Sequence, residues 1–432
     1  MRYWVETLGC PKNHVDSDKL TGLLVAQGYA PADAADEADL VVVNTYAFIE
    51  AAREESIETV LELANVKARG ARLVVTGCMA ERYGDELAEA LPEVDLVAGF
   101  GESLLAPTPV TLGSRKKTPA FDLLNLPRPA SAAPWAYVKI AEGCDRRCGF
   151  CAIPSFRGDQ LSRSTADVVA EARALVEGGA KEIVLIAQDL ASWGHDRRRK
   201  GEGGALEVLD EGGQQPLVAL TRALTSEVER LRLLYLYPSG LTENLIEAIL
   251  DTKVPYFDLS LQHVTRSQLR AMRRWGDGER FLERIAAIRA AAPDAAFRSS
   301  FIVGYPGETE DDVAALLDFL KAAQLDWAGF FTYSPEAGTY GAALPGAVPH
   351  ELALERLREL SETQDQITAA KRDALVGTTQ RVLLDAVGVG RSTREAPEID
   401  GVIHVATDLP PGTLVDCVIT ASTGTDLEAV LA

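Results

Sequence analysis

The sequence predicts an α/β protein in three parts: an N-terminal parallel α/β domain, an incomplete (β/α)6 TIM-like barrel and a small C-terminal β-barrel of OB-like size. Three observations carry this expectation. From Met1 to about Val110, short apolar runs alternate with helical stretches, the pattern of a parallel sheet with helices on its faces. Six further strand-like runs then alternate with helices, which suggests a barrel with its chemistry at the carboxyl ends of the strands. The last part holds short strands without helices between them.

In the first part the expected strands are Tyr3–Thr7, Leu40–Asn44 and Arg72–Thr76, with helices over Asp16–Gln27, Ile49–Ala64 and Gly84–Ala90. Each strand runs into a turn: Leu8-Gly9-Cys10, Thr45-Tyr46-Ala47 and Gly77-Cys78-Met79. A parallel sheet gathers such turns along its carboxyl edge, where ligands usually bind. The expected boundaries are 1–110 for this domain, 111–133 for a Pro-, Lys- and Ser-containing linker, 134–365 for the barrel and 366–432 for the last domain. Barrel strands are expected at Ala136–Ile140, Glu182–Ala187, Arg232–Tyr237, Tyr256–Leu261, Phe297–Val303 and Trp327–Thr332. Helices are expected at Thr165–Glu177, Glu243–Leu250, Gly278–Ala291 and Glu310–Ala323, and Trp193–Gln215 reads as a surface insertion. A helix over Pro349–Leu375 leads to strands at Gln380–Ala386, Gly401–Ala406, Thr413–Thr420 and Leu427–Leu431.

The 432 residues are 47% hydrophobic and 25% charged, as in globular proteins. No run approaches the roughly 20 apolar residues of a membrane span, and the start lacks an apolar signal segment. The expected place is the cytoplasm, with no membrane partner. A net charge of −21 argues against a broad nucleic-acid surface and matches a basic protein partner, whose approach it would steer.

The six cysteines, Cys10, Cys78, Cys144, Cys148, Cys151 and Cys417, are grouped too unevenly for a disulfide framework and suggest metal or redox chemistry. Cys144, Cys148 and Cys151 form C-x3-C-x2-C directly after the first barrel strand. A closed zinc site needs four ligands, and no His or fourth Cys lies nearby in the sequence. Three thiolates around a four-iron cluster leave one iron open, where S-adenosylmethionine can chelate and be cleaved to a carbon radical. The bland alternative is a zinc knuckle with a distant fourth ligand, or buried thiols. This spacing on the first strand–helix loop of a six-unit barrel resembles the radical S-adenosylmethionine superfamily.

The whole chain resembles the methylthiotransferases, which join an N-terminal cluster domain, a radical barrel and a C-terminal TRAM domain. Leu8-Gly9-Cys10-Pro11-Lys12-Asn13, Cys151-Ala152-Ile153-Pro154-Ser155-Phe156-Arg157-Gly158 and Glu395-Ala396-Pro397-Glu398-Ile399-Asp400-Gly401 are similar to the RimO-type branch. That branch modifies an aspartate of the twelfth small-subunit ribosomal protein, a basic partner. Ser300–Glu308 and Thr332–Glu336 resemble barrel motifs of the same family. The resemblance implies two 4Fe–4S clusters, S-adenosylmethionine as cofactor and an electron donor such as flavodoxin or ferredoxin. It further implies that sulfur from the auxiliary cluster is methylated, and that a 5′-deoxyadenosyl radical opens the aspartate β-carbon to receive the methylthio group. The nearest alternatives are a tRNA adenosine 2-methylthiotransferase and a ribosome-associated member that inserts no sulfur. The acidic C-terminal segment disfavours the tRNA reading, because it would repel RNA phosphate.

One departure stands out. The family's auxiliary cluster uses a cysteine at each of the three N-terminal turns; Cys10 and Cys78 match two, and Tyr46 stands in the third. Either Tyr46 or a neighbour such as His14 completes an unusual cluster, or two thiolates bind a labile one, or the cluster is lost. Among the remaining candidates, Gln188 and Asp189 end the second barrel strand within expected reach of S-adenosylmethionine. Arg298 and Gly304, on and just after the fifth strand, are expected to face the cofactor or to serve packing. Arg157 follows the cysteine loop and is suited to pair with a carboxylate of cofactor or substrate. His263 reads as a polar contact at the barrel mouth and Cys417 as core. Arg197-Arg198-Arg199-Lys200 reads as a solvated run with a possible touch on ribosomal RNA.

Overall fold

In the computed structural model of the chain, residues 1–105, 121–200 and 215–432 are described, with 198–200 described by backbone only. They divide into two compact units: 1–129 with 141–145 and 151–163, and 130–140 with 146–150 and 164–432.

The first unit is built on a five-stranded, fully parallel sheet. Its strands are β1 (Arg2–Thr7), β2 (Ala30–Pro31), β3 (Leu40–Thr45), β4 (Arg72–Gly77) and β5 (Leu96–Val97), in the order β2-β1-β3-β4-β5. Leu40–Thr45 is buried along its whole length, as a central parallel strand with both faces covered should be. Alternation sends Val41, Val43, Leu73 and Val75 to one core and Leu40, Val42 and Val74 to the other. Helices α2 (Glu50–Val66) and α3 (Cys78–Ala90) close the first core with Val60 and Leu87, and α1 (Pro11–Ala26) closes the second with Leu20 and Leu24.

Two helices start earlier than the periodicity implies. The first begins at Pro11, where a fixed φ suits the first helical position, and Cys10 is its N-cap. The third begins at Cys78, after Gly77 turns the chain at φ +91°. A Cβ at Gly77 would collide with Asn44 and Thr45, so this close turn requires glycine.

The second unit holds an open barrel. Strands β6 (Trp135–Lys139), β7 (Glu182–Ile186) and β8 (Arg230–Leu233) form one parallel sheet. A second contains β9 (Tyr256–Gln262), β10 (Ala296–Val303) and β11 (Trp327–Thr332). A parallel bridge between Leu236 and Leu259 joins the two into a six-strand arc. Helices α4 (Thr165–Glu177), α5 (Pro216–Thr225), α6 (Glu243–Asp251), α7 (Gly278–Ala291) and α8 (Glu310–Ala323) alternate with the strands. Local capping starts several of them: Ser164, Thr242 and Asp277 each accept a backbone N–H, and Thr309 with Asp312 makes a capping box.

The third barrel strand differs from the expected Arg232–Tyr237. Tyr235 takes φ +64° and gives its N–H to Asp258 Oδ2 at 2.9 Å, which bends the chain out of the ladder after Leu233. Of the expected insertion, 193–200 and 215 are described, and a short helix covers His195–Lys200; the side chains of Arg198, Arg199 and Lys200 lie outside the described residues.

Helix α9 (His350–Asp373) leads to a closed five-stranded barrel of β12 (Thr379–Ala386), β13 (Val389–Arg391), β14 (Ile403–Val405), β15 (Leu414–Thr423) and β16 (Asp426–Leu431). Cys417 is fully buried in its core with Val382, Ile403 and Ile419.

A buried charge network locks this small barrel to the open one. Glu182, at the start of β7, accepts from Arg232 Nε at 2.6 Å and from Arg391 Nη1 at 3.1 Å, with all three side chains almost completely buried. Arg230 donates to the carbonyls of Arg391 and Arg381, and Tyr137 Oη to that of Pro397 at 2.9 Å. Burial works against the Glu182 charge, yet Arg232, Arg391 and Arg230 hold its carboxyl down from the usual 4.5 to about 2.

The depressed value fixes the sign of the pH dependence: the Glu182 contribution is complete above about pH 4.5 and is lost as pH falls toward 2. Replacing Glu182 by Gln strands buried guanidinium charge and is expected to cost about 3–5 kcal/mol. Thermal unfolding checks both: E182Q should melt earlier at neutral pH and show a flatter acid slope than the parent.

Candidate metal centres

In the first unit, one asparagine ties together the three turns at the carboxyl edge of the sheet. Asn13 Nδ2 donates to the carbonyls of Leu8 and Thr45, each at 2.9 Å, and its Oδ1 lies 3.6 Å from Cys78 Sγ. Cys10 and Cys78 therefore stand at two helix N-termini on one edge, the half-buried thiol at the N-cap of α1 and the buried one opening α3. Burial pushes the Cys78 thiol up, and the Arg157 guanidinium opposes that shift.

Arg157 is buried beside Cys78. Its Nη2 donates to Cys78 Sγ and to Asn13 Oδ1, both at 3.0 Å, and its Nη1 to both oxygens of Glu142 at 2.7 Å. Asp16 adds a carboxylate at 3.6 Å. Arg157 was expected to pair with a carboxylate of cofactor or substrate; its carboxylate partners are instead Glu142 and Asp16 of this chain.

Tyr46 does not behave as a third thiolate. Its ring covers Gly9, where a Cβ would come within 2.5 Å of it, and its backbone N–H and C=O are both tied to Ser56 Oγ. The edge thus offers two thiols, one already engaged by Arg157, and an aromatic ring over the first turn. These residues do not fit the three-thiolate auxiliary cluster that the resemblance implies.

Cys144, Cys148 and Cys151 lie on the loop that follows β6, and no disulfide holds any of them. In the first unit, Cys144 N donates to Gly158 O at 3.1 Å, beside a short antiparallel pair of Ala141–Glu142 with Leu161–Ser162. In the second unit, Gly149 is clamped by its backbone: its N–H reaches Met272 O at 2.7 Å and its C=O receives Gly341 N at 2.6 Å. A Cβ there would come within 2.5 Å of Tyr305 Oη, so the loop next to Cys148 passes through a space only glycine fits. Arg274 Nη1 donates to Cys148 Sγ at 3.3 Å. Among the described residues no three His, Cys, Asp or Glu side chains are gathered as a closed metal cage. The triplet is a donor set by thiol chemistry and a pinned loop, and that set fits an iron–sulfur cluster.

The other expected contacts divide. Gln188, half-buried, and Asp189, buried, follow β7 at its carboxyl end. Asp189 Oδ2 accepts from Arg146 Nε at 2.8 Å and from Ser192 Oγ at 2.6 Å. Arg298 is corrected: it sits near the N-terminal end of β10, and its charge is taken up by Asp258 at 3.4 Å and Asp400 at 3.3 Å. Gly304 is likewise a packing residue, at φ +77° with its N–H on Glu308 Oε2 at 2.9 Å and no room for a Cβ beside Ala353. His263 is fully buried, and its Nδ1 accepts the backbone N–H of Val264 at 2.9 Å. Asn13 and Arg274 were not expected in these roles. Asn13 falls inside the motif quoted above, whereas Arg274 carries no signal in the sequence.

A six-strand parallel arc with a thiol triplet on its first loop defines a radical S-adenosylmethionine enzyme. The chain matches the Radical SAM superfamily over residues 138–320, the TRAM domain over 376–431 and the Uncharacterized protein family UPF0004 over 2–99. It is 42% identical to the ribosomal protein uS12 methylthiotransferase RimO of Moorella thermoacetica, over 97% of this chain and 96% of that one. The RimO of Chloroflexus aurantiacus is 40% identical, with 99% of each chain covered. The chain belongs to the RimO family of methylthiotransferases. A cobalamin- and [4Fe-4S]-bound radical S-adenosylmethionine methyltransferase, TsrM from Kitasatospora setae, shares the fold at a TM-score of 0.50 and 16% identity, covering 77% of this chain and 71% of that one.

The donor sets predict the metal content. After anaerobic reconstitution the chain should hold about four irons, and about none once Cys144, Cys148 and Cys151 are replaced by Ala. Iron and sulfide analysis checks this, and about eight irons in the unaltered chain would contradict the two-thiol reading of the N-terminal edge.

Proposed function

We propose that this chain adds a methylthio group to the β-carbon of an aspartate in ribosomal protein uS12. The observation that carries the reading is similarity over nearly the whole chain to uS12 methylthiotransferases. Surface charge supports it. In the C-terminal domain Asp373, Glu398, Asp408 and Glu428 are exposed, while Arg372, Arg391, Arg394 and the exposed Arg381 are paired in turn with Glu395, Asp385 with Glu182, Asp294 and Asp416. Such an excess of exposed acid attracts a basic ribosomal protein and repels RNA phosphate, which weighs against the tRNA alternative.

The roles follow from placement. Cys144, Cys148 and Cys151 are the ligands of the 4Fe–4S cluster, which when bound supplies the electron that cleaves S-adenosylmethionine. The clamped Gly149 fixes the loop on which Cys148 stands. Gln188, at the carboxyl end of β7, is positioned to hold the cofactor by hydrogen bonds. Cys10 and Cys78 are candidates for handling sulfur at the N-terminal edge, with Arg157 as the buried cation that stabilises negative charge on Cys78. The domain division is 1–110 for the N-terminal cluster domain, 111–133 for the linker, 134–365 for the radical barrel and 366–432 for the TRAM domain. A low-potential donor such as flavodoxin or ferredoxin would supply the electrons. No helix among the described residues is long and apolar enough to cross a membrane, and work on a ribosomal protein fits the cytoplasm.

Mass spectra of uS12 peptides test the function. A strain lacking the gene should lose the methylthio mass on one aspartate peptide, and the unaltered gene should restore it. Cys148→Ala should restore none. An unchanged peptide in the deletion strain would remove the proposal.

A further inference from the structure

Arg274 is presented to Cys148 by the end of a helix. The helix Arg266–Ala271 stops in a Schellman-type turn: Arg273 takes φ +54°, Arg273 N donates to Arg270 O at 3.0 Å, and Arg274 N to Leu269 O at 2.7 Å. The turn aims the Arg274 side chain at the cysteine loop. Its Nη1 is 3.3 Å from Cys148 Sγ, and its Nη2 donates to Ser260 O.

The guanidinium is held in place by aromatic stacking. It lies 4.3 Å from the centroid of the Tyr237 ring, and that same ring carries the Arg146 guanidinium at 3.9 Å. Tyr237 Oη accepts the N–H of Trp275 at 3.2 Å, and Arg146 is anchored on Asp189 at 2.8 Å. Two cations on one ring are held by these outside partners as well as by cation–π attraction. The second arginine belongs to the cysteine loop itself, two residues before Cys148.

We propose that Arg274 is a positioning residue that sets the reduction potential of the cluster held by the triplet. This rests on the reading of Cys148 as an iron ligand. A hydrogen bond and a positive charge on a ligating sulfur stabilise the more negative, reduced cluster and so raise its potential. Arg274 thereby eases delivery of the electron that the reaction requires, and the Asp189–Arg146–Tyr237 stack keeps its Nη1 on the sulfur.

The test is a redox titration of the reconstituted protein, followed by the electron paramagnetic resonance signal of the reduced cluster. Arg274→Met should keep its iron and lower the reduced-to-oxidised ratio at a fixed potential roughly tenfold, which for one electron is a shift of about −59 mV. Arg274→Lys, which keeps the charge but not the planar fork, should shift the same way by less. Full iron with an unmoved potential in both variants overturns the proposal. So does loss of iron from both, because Arg274 would then be needed to retain the cluster rather than to tune it. If the unaltered protein binds no iron, or keeps all of it when the triplet is replaced by Ala, the underlying reading of Cys148 fails instead.

Discussion

The second unit depends on one buried carboxylate. Glu182 opens β7 with no exposed surface and draws in Arg232 from β8 and Arg391 from the small barrel. Three elements far apart in sequence are thereby held by a single acidic side chain. The arrangement is costly to desolvate, so its partners must all be present at once. Around it Tyr137, Trp327 and Arg372 reach Pro397, Arg394 and Glu395, which makes the segment 391–400 the seam between the two barrels. Arg298 and Asp400 belong to that seam: burial lifts the Asp400 carboxyl to about 6, against the pull of Arg298.

That seam leaves the opposite, carboxyl ends of the barrel strands for chemistry. Asp189 follows β7, Tyr237 follows β8, and Ser260 lies late in β9. Arg274, which meets Cys148, comes from the turn after Arg266–Ala271 and is held by Tyr237 and Ser260 at these ends. Backbone pins on Gly149 fix the loop, and the Arg274 guanidinium reaches the Cys148 sulfur. In the first unit the same logic recurs with different parts, because Asn13 and Arg157 organise Cys78 and the turns beside it. In both units a guanidinium meets a cysteine sulfur, Arg157 at Cys78 and Arg274 at Cys148.

Much of the architecture was legible in the sequence because burial and period were strong. Leu40–Val43 is a continuous apolar run and Tyr256–Leu261 an apolar one broken only at Asp258 and Ser260, and the structure places strands over both. The three residues of β13 are too short to show a period, and they went unseen. Helices α1 and α3 begin at their cysteine turns because Pro11 and Gly77 set the backbone, which hydrophobic spacing does not register. The cysteine triplet was visible as spacing alone. Arg298 was not readable as a seam residue, since its partner Asp400 lies about a hundred residues away and period-2 alternation does not tell one end of a strand from the other. The role of Arg274 depends on a helix terminus and a ring contact, neither of which leaves a mark in the sequence.

On this reading the triplet drives radical cleavage of S-adenosylmethionine for the modification of a ribosomal protein. The most direct measurement is 5′-deoxyadenosine formation by reconstituted protein with reductant, S-adenosylmethionine and purified uS12. The unaltered chain should form it together with methylthio-modified uS12, and Cys148→Ala should form neither. Equal 5′-deoxyadenosine from the unaltered and Cys148→Ala proteins would contradict it.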